Sequence, residues 1–564
     1  MKKLIIIGVI LLSLGTILPL FQSGFFTFHD NTTVVRVYEM SNSLLHGMFP
    51  VRWVENLGYG YGYPIFNFYG PFPYYFGGLI NLIGFDSLFA TKVMLIAGML
   101  AAPITMFLLS RKLFGNSAGV VSAIVYAYFP YHALNLYVRG AVGEIFAYAF
   151  LPMILLGLFM LFSEKSKSFF RSFPAIFVLA FGIFLVAISH NLTLLMLFII
   201  LPFVIIAMTF FAQDKKRFLL LVVGGIVLGI ALSSFYVIPA FLEMGYTNVS
   251  SQLGGGAYFA DHYVCISQFW ESQWGFGGSV PGCLDGLSFK LGKINLVLLL
   301  LGVLLLGYRF TKHRFEKHEK VTIVALVILT LASFFCLSIS GPVWENFPLM
   351  AYIQYPWRFI NFIALAIAII SGYGTTYIVV KSSQNIRLLV VVAICCLTIL
   401  LNLKLFNPQE YTSFDSSYYT NQSYIRYTAS KISDEYMPKD FNKPKNIEDL
   451  PSSKLEILVG TGYIAEVPKK TMGTQIKYKF LTNGILHINQ AFFPAWYATI
   501  NGKTGIITQA PRGMDINVQK GEGIIDISFR QTTIEKVGNV LSILAFFAIL
   551  LGIMLPKSYG KKTS

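Results

Sequence analysis

Apolar residues in this chain come in long blocks separated by short polar breaks. A run of about 20 apolar residues is the length that crosses a bilayer as a helix, and a helix satisfies its own backbone in lipid. Blocks of this kind fall near residues 4–20, 87–110, 115–134, 144–162, 173–189, 191–212, 217–238, 293–309, 321–340, 359–380, 387–405 and 537–556, which predicts about 12 spans. The first follows Met1-Lys2-Lys3 and resembles a signal peptide, but no small-residue cleavage site follows it, so it reads as an uncleaved anchor. Residues 74–85 are apolar but short, and read as an interfacial or half-inserted helix; counted as a span, they would make the total 13.

Charge gives the map a direction. The chain is 55% hydrophobic and only 12% charged, where soluble proteins carry roughly a quarter. Its formal charge is +16. That surplus would suit nucleic acid if it formed a stripe, but it sits in the breaks: Arg111-Lys112, 165–171, Lys215-Lys216-Arg217, 309–320, 381–387 and a tail at 557–562. Short loops rich in Lys and Arg stay on the cytoplasmic side. The expectation is therefore a multi-pass cell-membrane protein with both termini cytoplasmic and no nucleic-acid partner. The same map has Lys92 snorkelling to the outer surface. Residues 21–86, 239–292 and 406–536 then lie outside.

The last of these outer segments reads as a soluble β-rich domain. Short runs at 455–459, 475–481, 484–489, 496–500 and 523–529 are rich in β-branched and aromatic residues and are split by Asn483-Gly484 and Asn501-Gly502. The organisation expected is a transmembrane domain at 1–405, an extracytoplasmic β-rich domain at 406–536, and a final helix with a basic tail at 537–564. Cys336, Cys395 and Cys396 lie in apolar spans as packing residues, while Cys265 and Cys283 share one outer loop where a disulfide is allowed. Neither zinc-type Cys/His spacing nor a phosphate-binding Gly-Lys-Ser/Thr loop is present.

The first outer loop departs most from bland membrane sequence. It carries His29 and Asp30, then Arg36, Arg52-Trp53 and a Gly/Tyr tract from Gly58 to Pro71. A carboxylate such as Asp30 at the water–membrane boundary is half-desolvated, which suits a general base. It serves equally, with His29, as the cap of an interfacial helix. The aromatic tract suits an interfacial belt, a sugar platform or a cradle for an isoprenoid chain.

Taken together, His29-Asp30, Gly47-Met48-Phe49-Pro50-Val51-Arg52-Trp53 and Gly60-Tyr61-Gly62-Tyr63-Pro64-Ile65-Phe66-Asn67-Phe68-Tyr69-Gly70-Pro71 resemble the bacterial membrane proteins labelled "6-pyruvoyl-tetrahydropterin synthase-related". Those proteins are similar to membrane glycosyltransferases of the GT-C architecture. The likeness continues through Tyr137 to Glu144, Ser189-His190-Asn191, Phe235 to Glu243, Gln354-Tyr355-Pro356-Trp357-Arg358-Phe359, Glu435-Tyr436-Met437-Pro438 and Phe493-Pro494-Ala495-Trp496-Tyr497. In that last run Ala495 stands where the glycine of Pro-Gly-Trp is expected, a departure confined to the β-rich region. The resemblance implies a polyprenyl-phosphate sugar donor, an extracytoplasmic glycan, lipid or protein acceptor, and an acidic base in the first outer loop, which here is Asp30. Because the donor phosphate leaves as a stable anion, the chemistry calls for neither metal nor cofactor; Arg can hold the phosphate.

Depth in the membrane supplies further candidates. Arg139 and Glu144 flank the outer ends of adjacent spans, as a functional pair or as a mutual ion pair fixing two helix ends. Arg358 follows Trp357 at the start of a span, where it can grip a phosphate or anchor to lipid headgroups. His190 at a tight outer turn is a ligand or a structural histidine, and Glu243 is a second catalytic carboxylate or a residue of the span exit. Arg36 and Arg52 are further phosphate-gripping residues. In loop 239–292, glycines beside Trp270 and Trp274 suit a mobile cover or an ordinary loop, and His487 in the β-rich region has no evident partner. Against a glycosyltransferase stands a transporter or flippase of lipid-linked saccharides, which would place polar residues deep in several spans; here they crowd the outer ends. A non-catalytic scaffold is the third reading.

Overall fold

The computed structural model describes residues 2–166, 168–380, 383–467, 469 and 472–559. Of the expected basic breaks, Lys167, Lys381 and the tail from residue 560 lie outside the described residues. Ten helices among those described are long and apolar enough to cross a membrane. They are Ser87–Phe114, Val142–Phe162, Phe169–Ser189, Asn191–Phe211, Lys215–Leu242, Lys293–Thr311, Lys317–Cys336, Ile360–Val380, Gln384–Asn402 and Thr533–Tyr559. Two shorter apolar helices, Lys2–Ser13 and Asn116–Ala127, stand where the remaining two spans were expected.

The differences from the expected map have local causes. The first helix ends at Ser13 and continues as tight turns through Pro19 to Phe21. The expected span 115–134 breaks ahead of Pro130, which has no N–H to give the preceding turn. A short helix, Pro130–Leu134, and a wide π-type turn, Asn135–Arg139, follow. Several helices start earlier than hydropathy indicates because polar caps extend them: Asp214 Oδ1 accepts from Arg217 N at 3.0 Å. Lys92 reaches back along its helix to donate to the carbonyl of Gln22.

The short apolar segment forms the helix Phe72–Leu82, packed on the loop helix Thr33–Leu45. The two approach so closely that a Cβ on Gly78 would lie 2.6 Å from Met40 Cγ. Glycines at 77 and 78 are what permit this contact.

The β-rich region is a two-sheet sandwich. Its strands are numbered after the small pair β1 (Phe25–Phe26) and β2 (Tyr411–Thr412), which bond antiparallel and tie the first loop to the segment after residue 402. The sandwich strands are β3 (Leu455–Val459), β4 (Gly462–Val467), β5 (Gly473–Phe480), β6 (Gly484–Ile488), β7 (Trp496–Ile500), β8 (Lys503–Gly505), β9 (Ile507–Ala510), β10 (Gly513–Val518) and β11 (Gly521–Phe529). One sheet has the order β3-β6-β10-β9 and the other β4-β5-β11-β7-β8, all antiparallel. Alternate residues, among them Ile476, Phe480, Leu486, Ile516 and Ile527, turn inward and fill the space between the sheets.

Asn501 and Gly502 both have positive φ (50° and 79°) and make the two-residue β7–β8 hairpin that the sequence announces. Asn483-Gly484 does something else. It carries the chain from β5 in one sheet to β6 in the other.

The sandwich is welded to the first loop by apolar contacts. Trp53 is buried edge-on against Trp496, ring centroids 5.2 Å apart, and also packs on Phe529. Phe68 stacks on Tyr436 at 5.5 Å. The polar segments therefore gather at one end of the helix bundle. At the far end of helix Val142–Phe162, Lys165, Arg217, Lys317 and Lys320 line a separate recess of about 520 Å³, so basic breaks from different loops converge there.

Candidate functional site

Where the helix ends meet the first loop and the segment that leads to the sandwich lies a cavity of about 320 Å³. Its wall is polar: Asp30, Arg36, Arg139, Glu144, His190 and Arg358 all face it, with Ser433 and Glu435 from the segment leading to the sandwich.

Asp30 is placed by backbone pairing. The N–H of His29 donates to Val138 O at 3.0 Å and that of Asp30 to Arg139 O at 3.1 Å, so the first loop lies along the turn that carries Arg139. That turn closes at Gly140 (φ +65°), where any Cβ would strike the Phe28 ring. The Asp30 side chain is exposed at the cavity mouth rather than half-buried as the sequence suggested.

Glu144 sits in the first turn of its helix and is 1% exposed. Oε1 accepts from Tyr131 Oη at 2.8 Å and Asn361 Nδ2 at 2.7 Å, while Oε2 accepts from Arg139 Nη1 at 2.8 Å. Arg139 also donates to Asn135 Oδ1 at 2.6 Å and lies 4.5 Å from the Trp357 ring centroid. The second guanidinium, Arg358, stands 3.9 Å from Glu144 Oε2 and donates through Nη1 to Ile353 O at 2.6 Å. Its Nε is buried without a partner. Two buried arginines thus share one carboxylate, leaving a local positive excess and an open donor.

His190 caps helix Asn191–Phe211 by accepting the Thr193 N–H on Nδ1 at 3.2 Å, which leaves Nε2 as the ring's donor. Burial, together with the guanidiniums of Arg358 and Arg139, pushes the imidazole down to about 3 against the pull of Glu144. It offers the cavity a neutral N–H, not a charge.

Four expected residues lie elsewhere. His29 is exposed, and its Nε2 bonds Phe276 O at 2.8 Å in the loop after the Lys215–Leu242 helix. Trp357 backs the cavity from behind Arg139 and donates to Ser279 Oγ at 3.2 Å. Arg52 is buried in a separate cluster: it donates to Asn67 Oδ1 at 2.9 Å, Phe235 O at 2.6 Å and Asn539 Oδ1 at 3.1 Å, with Glu535 at 3.9 Å. Glu243, expected as a second catalytic carboxylate, belongs to that cluster through Thr532 and does not line the cavity.

Sequence reasoning gave no role to Ser433 and Glu435, nor to Tyr131 and Asn361, which hold Glu144. Cys265 and Cys283 are joined in a disulfide within the loop that bonds His29. Among the described residues no three His, Cys, Asp or Glu side chains converge as a metal site.

This architecture is that of a polytopic membrane protein with a GT-C-like fold. Archaeal oligosaccharyltransferase AglB from Archaeoglobus fulgidus, in complex with an inhibitory peptide and a dolichol-phosphate, superposes with a TM-score of 0.50 at 16% identity, over 80% of this chain and 61% of that one. ArnT from Cupriavidus metallidurans, bound to undecaprenyl phosphate, gives 0.35 at 12% identity over 77% of each chain. Within this class the chain belongs to the family described as 6-pyruvoyl-tetrahydropterin synthase related domain, membrane protein, whose model matches residues 66–406. An uncharacterized protein of Lactococcus lactis subsp. cremoris (strain MG1363) is 25% identical over 268 residues, covering 45% of this chain and 42% of its own length. The chain thus spans less than half of that relative and about three-fifths of the oligosaccharyltransferase.

Proposed function

We propose that this protein is a membrane glycosyltransferase that moves a sugar from a polyprenyl-phosphate donor to an extracytoplasmic acceptor: a cell-envelope glycan, a lipid or a protein. The observation that carries this reading is Arg139 and Arg358 around a single carboxylate, beside an exposed Asp30 in the same cavity. In the reaction, Asp30 accepts the proton of an acceptor hydroxyl as its oxygen attacks the anomeric carbon. The bond from that carbon to the phosphate oxygen breaks, and polyprenyl phosphate leaves as an anion held by the guanidiniums. Glu144 positions both arginines, and the His190 N–H is a further donor to the phosphate.

The basic recess at the far end belongs on the cytoplasmic side by the positive-inside rule, which puts the cavity and the sandwich outside with both termini in the cytoplasm. The domain organisation follows: a transmembrane unit to about residue 405, the outer β-rich unit to 536, and a returning helix.

The test is sugar transfer in proteoliposomes supplied with a panel of polyprenyl-phosphate sugars and cell-envelope acceptors. Wild type should yield a glycosylated product and Asp30→Asn none. Equal transfer by the two would overturn the mechanism.

A further inference from the structure

The cavity holds another cation that no carboxylate among the described residues meets at contact distance. Arg36, on the helix Thr33–Leu45, is 4% exposed. Its Nη2 donates to Ser433 Oγ at 2.7 Å, its Nη1 lies 3.4 Å from Tyr74 Oη, and its guanidinium carbon stands 4.3 Å from the Tyr69 ring centroid. The buried Nε has no partner.

Among the described residues Arg36 makes no ion pair. The Ser433 hydroxyl stands between it and Glu435, accepting from the guanidinium and donating to Glu435 at 3.2 Å. Arg139, by contrast, has Glu144 at 2.8 Å. A buried charge without a counter-ion is costly, and hydroxyl dipoles and a ring face repay only part of that cost. A cavity that keeps one open donor on such a cation is complementary to an incoming anion.

We propose that Arg36, with Ser433 and Tyr69, forms a second anion subsite that takes an anionic group, phosphate or carboxylate, carried by the acceptor. Asp30 lies between the two stations along the backbone: its N–H donates to Arg139 O at 3.1 Å, and its carbonyl accepts the N–H of Thr32, whose own carbonyl accepts the N–H of Arg36 at 3.0 Å; the side chains of Asp30, Arg139 and Arg36 all line the same cavity. An acceptor anchored at Arg36 therefore brings a neighbouring hydroxyl to Asp30, while the donor phosphate sits at Arg139 and Arg358. The inference rests on the glycosyltransferase reading for the donor station, but its own residues are separable from that station.

Inorganic phosphate titrated calorimetrically into the purified full-length chain in uncharged detergent tests both. Wild type should show two sites, Arg36→Met one, and Arg36→Lys two with the second weakened. Arg358→Met should also show one site; if it alone keeps both, the donor reading fails and the Arg36 subsite stands. Arg36→Met titrating like wild type would overturn the subsite, as would a single site in wild type. Without phosphate, Arg36→Met should melt at or above wild type, because it removes an uncompensated charge. A lower melting temperature with an unchanged phosphate response would make Arg36 purely structural and sink the proposal. Ser433→Ala, which keeps the charge, guards against a misfolded Arg36 variant and should weaken the second site. Glucuronate in place of phosphate separates the sources: competition at the second site assigns it to carboxylate-bearing acceptors, and no competition to phosphate-bearing ones.

Discussion

Two polar clusters lie close to the cavity end of the helix bundle and are built from the same residue types. One is the cavity, with Arg139, Arg358 and Glu144; the other is the sealed cluster of Arg52, Glu535, Glu243, Asn67 and Asn539. In the sealed cluster the guanidinium is tied to three parts of the chain: the first loop through Asn67, helix Lys215–Leu242 through Phe235 O, and the last helix through Asn539. Asn67 Nδ2 and the Thr532 N–H meet the two oxygens of Glu535 at 2.8 and 2.9 Å. None of these five residues lines the cavity. Each cluster leaves one guanidinium Nε without a hydrogen-bond partner, Arg52 in one and Arg358 in the other, but only the second lines the cavity, beside the exposed carboxylate Asp30. A buried arginine–carboxylate pair is a clamp when the chain encloses it and a binding site when one edge is left open.

The largest expected effect falls on Asp30. Asp30→Asn removes the base without removing a buried contact, so transfer should drop by at least ~100-fold while the melting temperature stays at the wild-type value. A loss of folding with the loss of transfer would place Asp30 with the clamps.

Next come the pairs themselves. Glu144→Ala leaves Arg139 and Arg358 buried without a counter-ion, and Arg52→Met leaves Glu535 in the same state. Each should cost about 3–5 kcal/mol of stability, read by thermal or denaturant unfolding. The two should separate in function. Folded Arg52→Met should retain transfer, because its cluster does not face the cavity, whereas folded Glu144→Ala should not. If both lose transfer in proportion to their stability, the distinction between clamp and site collapses.

A smaller effect is expected at Glu243, whose Oε2 is buried without a partner while the other oxygen accepts from Thr532. Glu243→Gln keeps the shape and that acceptor, so it should change stability by less than about 1 kcal/mol and leave transfer intact. Abolished transfer would return Glu243 to the catalytic role that its position in the sequence suggests.

These contrasts also show what the sequence could and could not reveal. The spans were legible because lipid imposes their length and apolarity on every helix, and the Asn501-Gly502 hairpin because two positive φ values demand those residues. Asn483-Gly484 looked identical but crosses between sheets, a fact decided by long-range pairing. Strand β10 escaped notice because Asp515 and Asn517 dilute an otherwise clean alternation of Met514, Ile516 and Val518. Arg139, Glu144 and Arg358 stood out as ionisable residues at span ends. Glu243 gave the same signal and Arg52 stood out as a first-loop cation, and only the fold shows that these two are enclosed. Glu435 appeared only within a family-like run and Ser433 gave no signal, since a polar residue in such a segment carries no depth cue.

The finest test concerns His190, which the sequence left open between ligand and structural cap. Its folded value of about 3 lies below the ordinary histidine value near 6.5. Between those limits the unfolded chain binds a proton that the folded cavity refuses, so unfolding becomes easier as pH falls from about 6.5 toward 3. Above about 6.5 neither state holds the proton and the contribution is constant. The slope is at most ~1.4 kcal/mol per pH unit, and less to the extent that water reaches the half-buried ring. His190→Gln removes the titration, so the difference in stability between wild type and variant should narrow as pH falls through this window. Transfer, for its part, should show no histidine inflection between about pH 5 and 8 in wild type, because the ring stays neutral and donates through Nε2 throughout. An inflection lost in His190→Gln would mean that the ring charges when the cavity fills, and would make it an acid–base participant rather than a fixed donor.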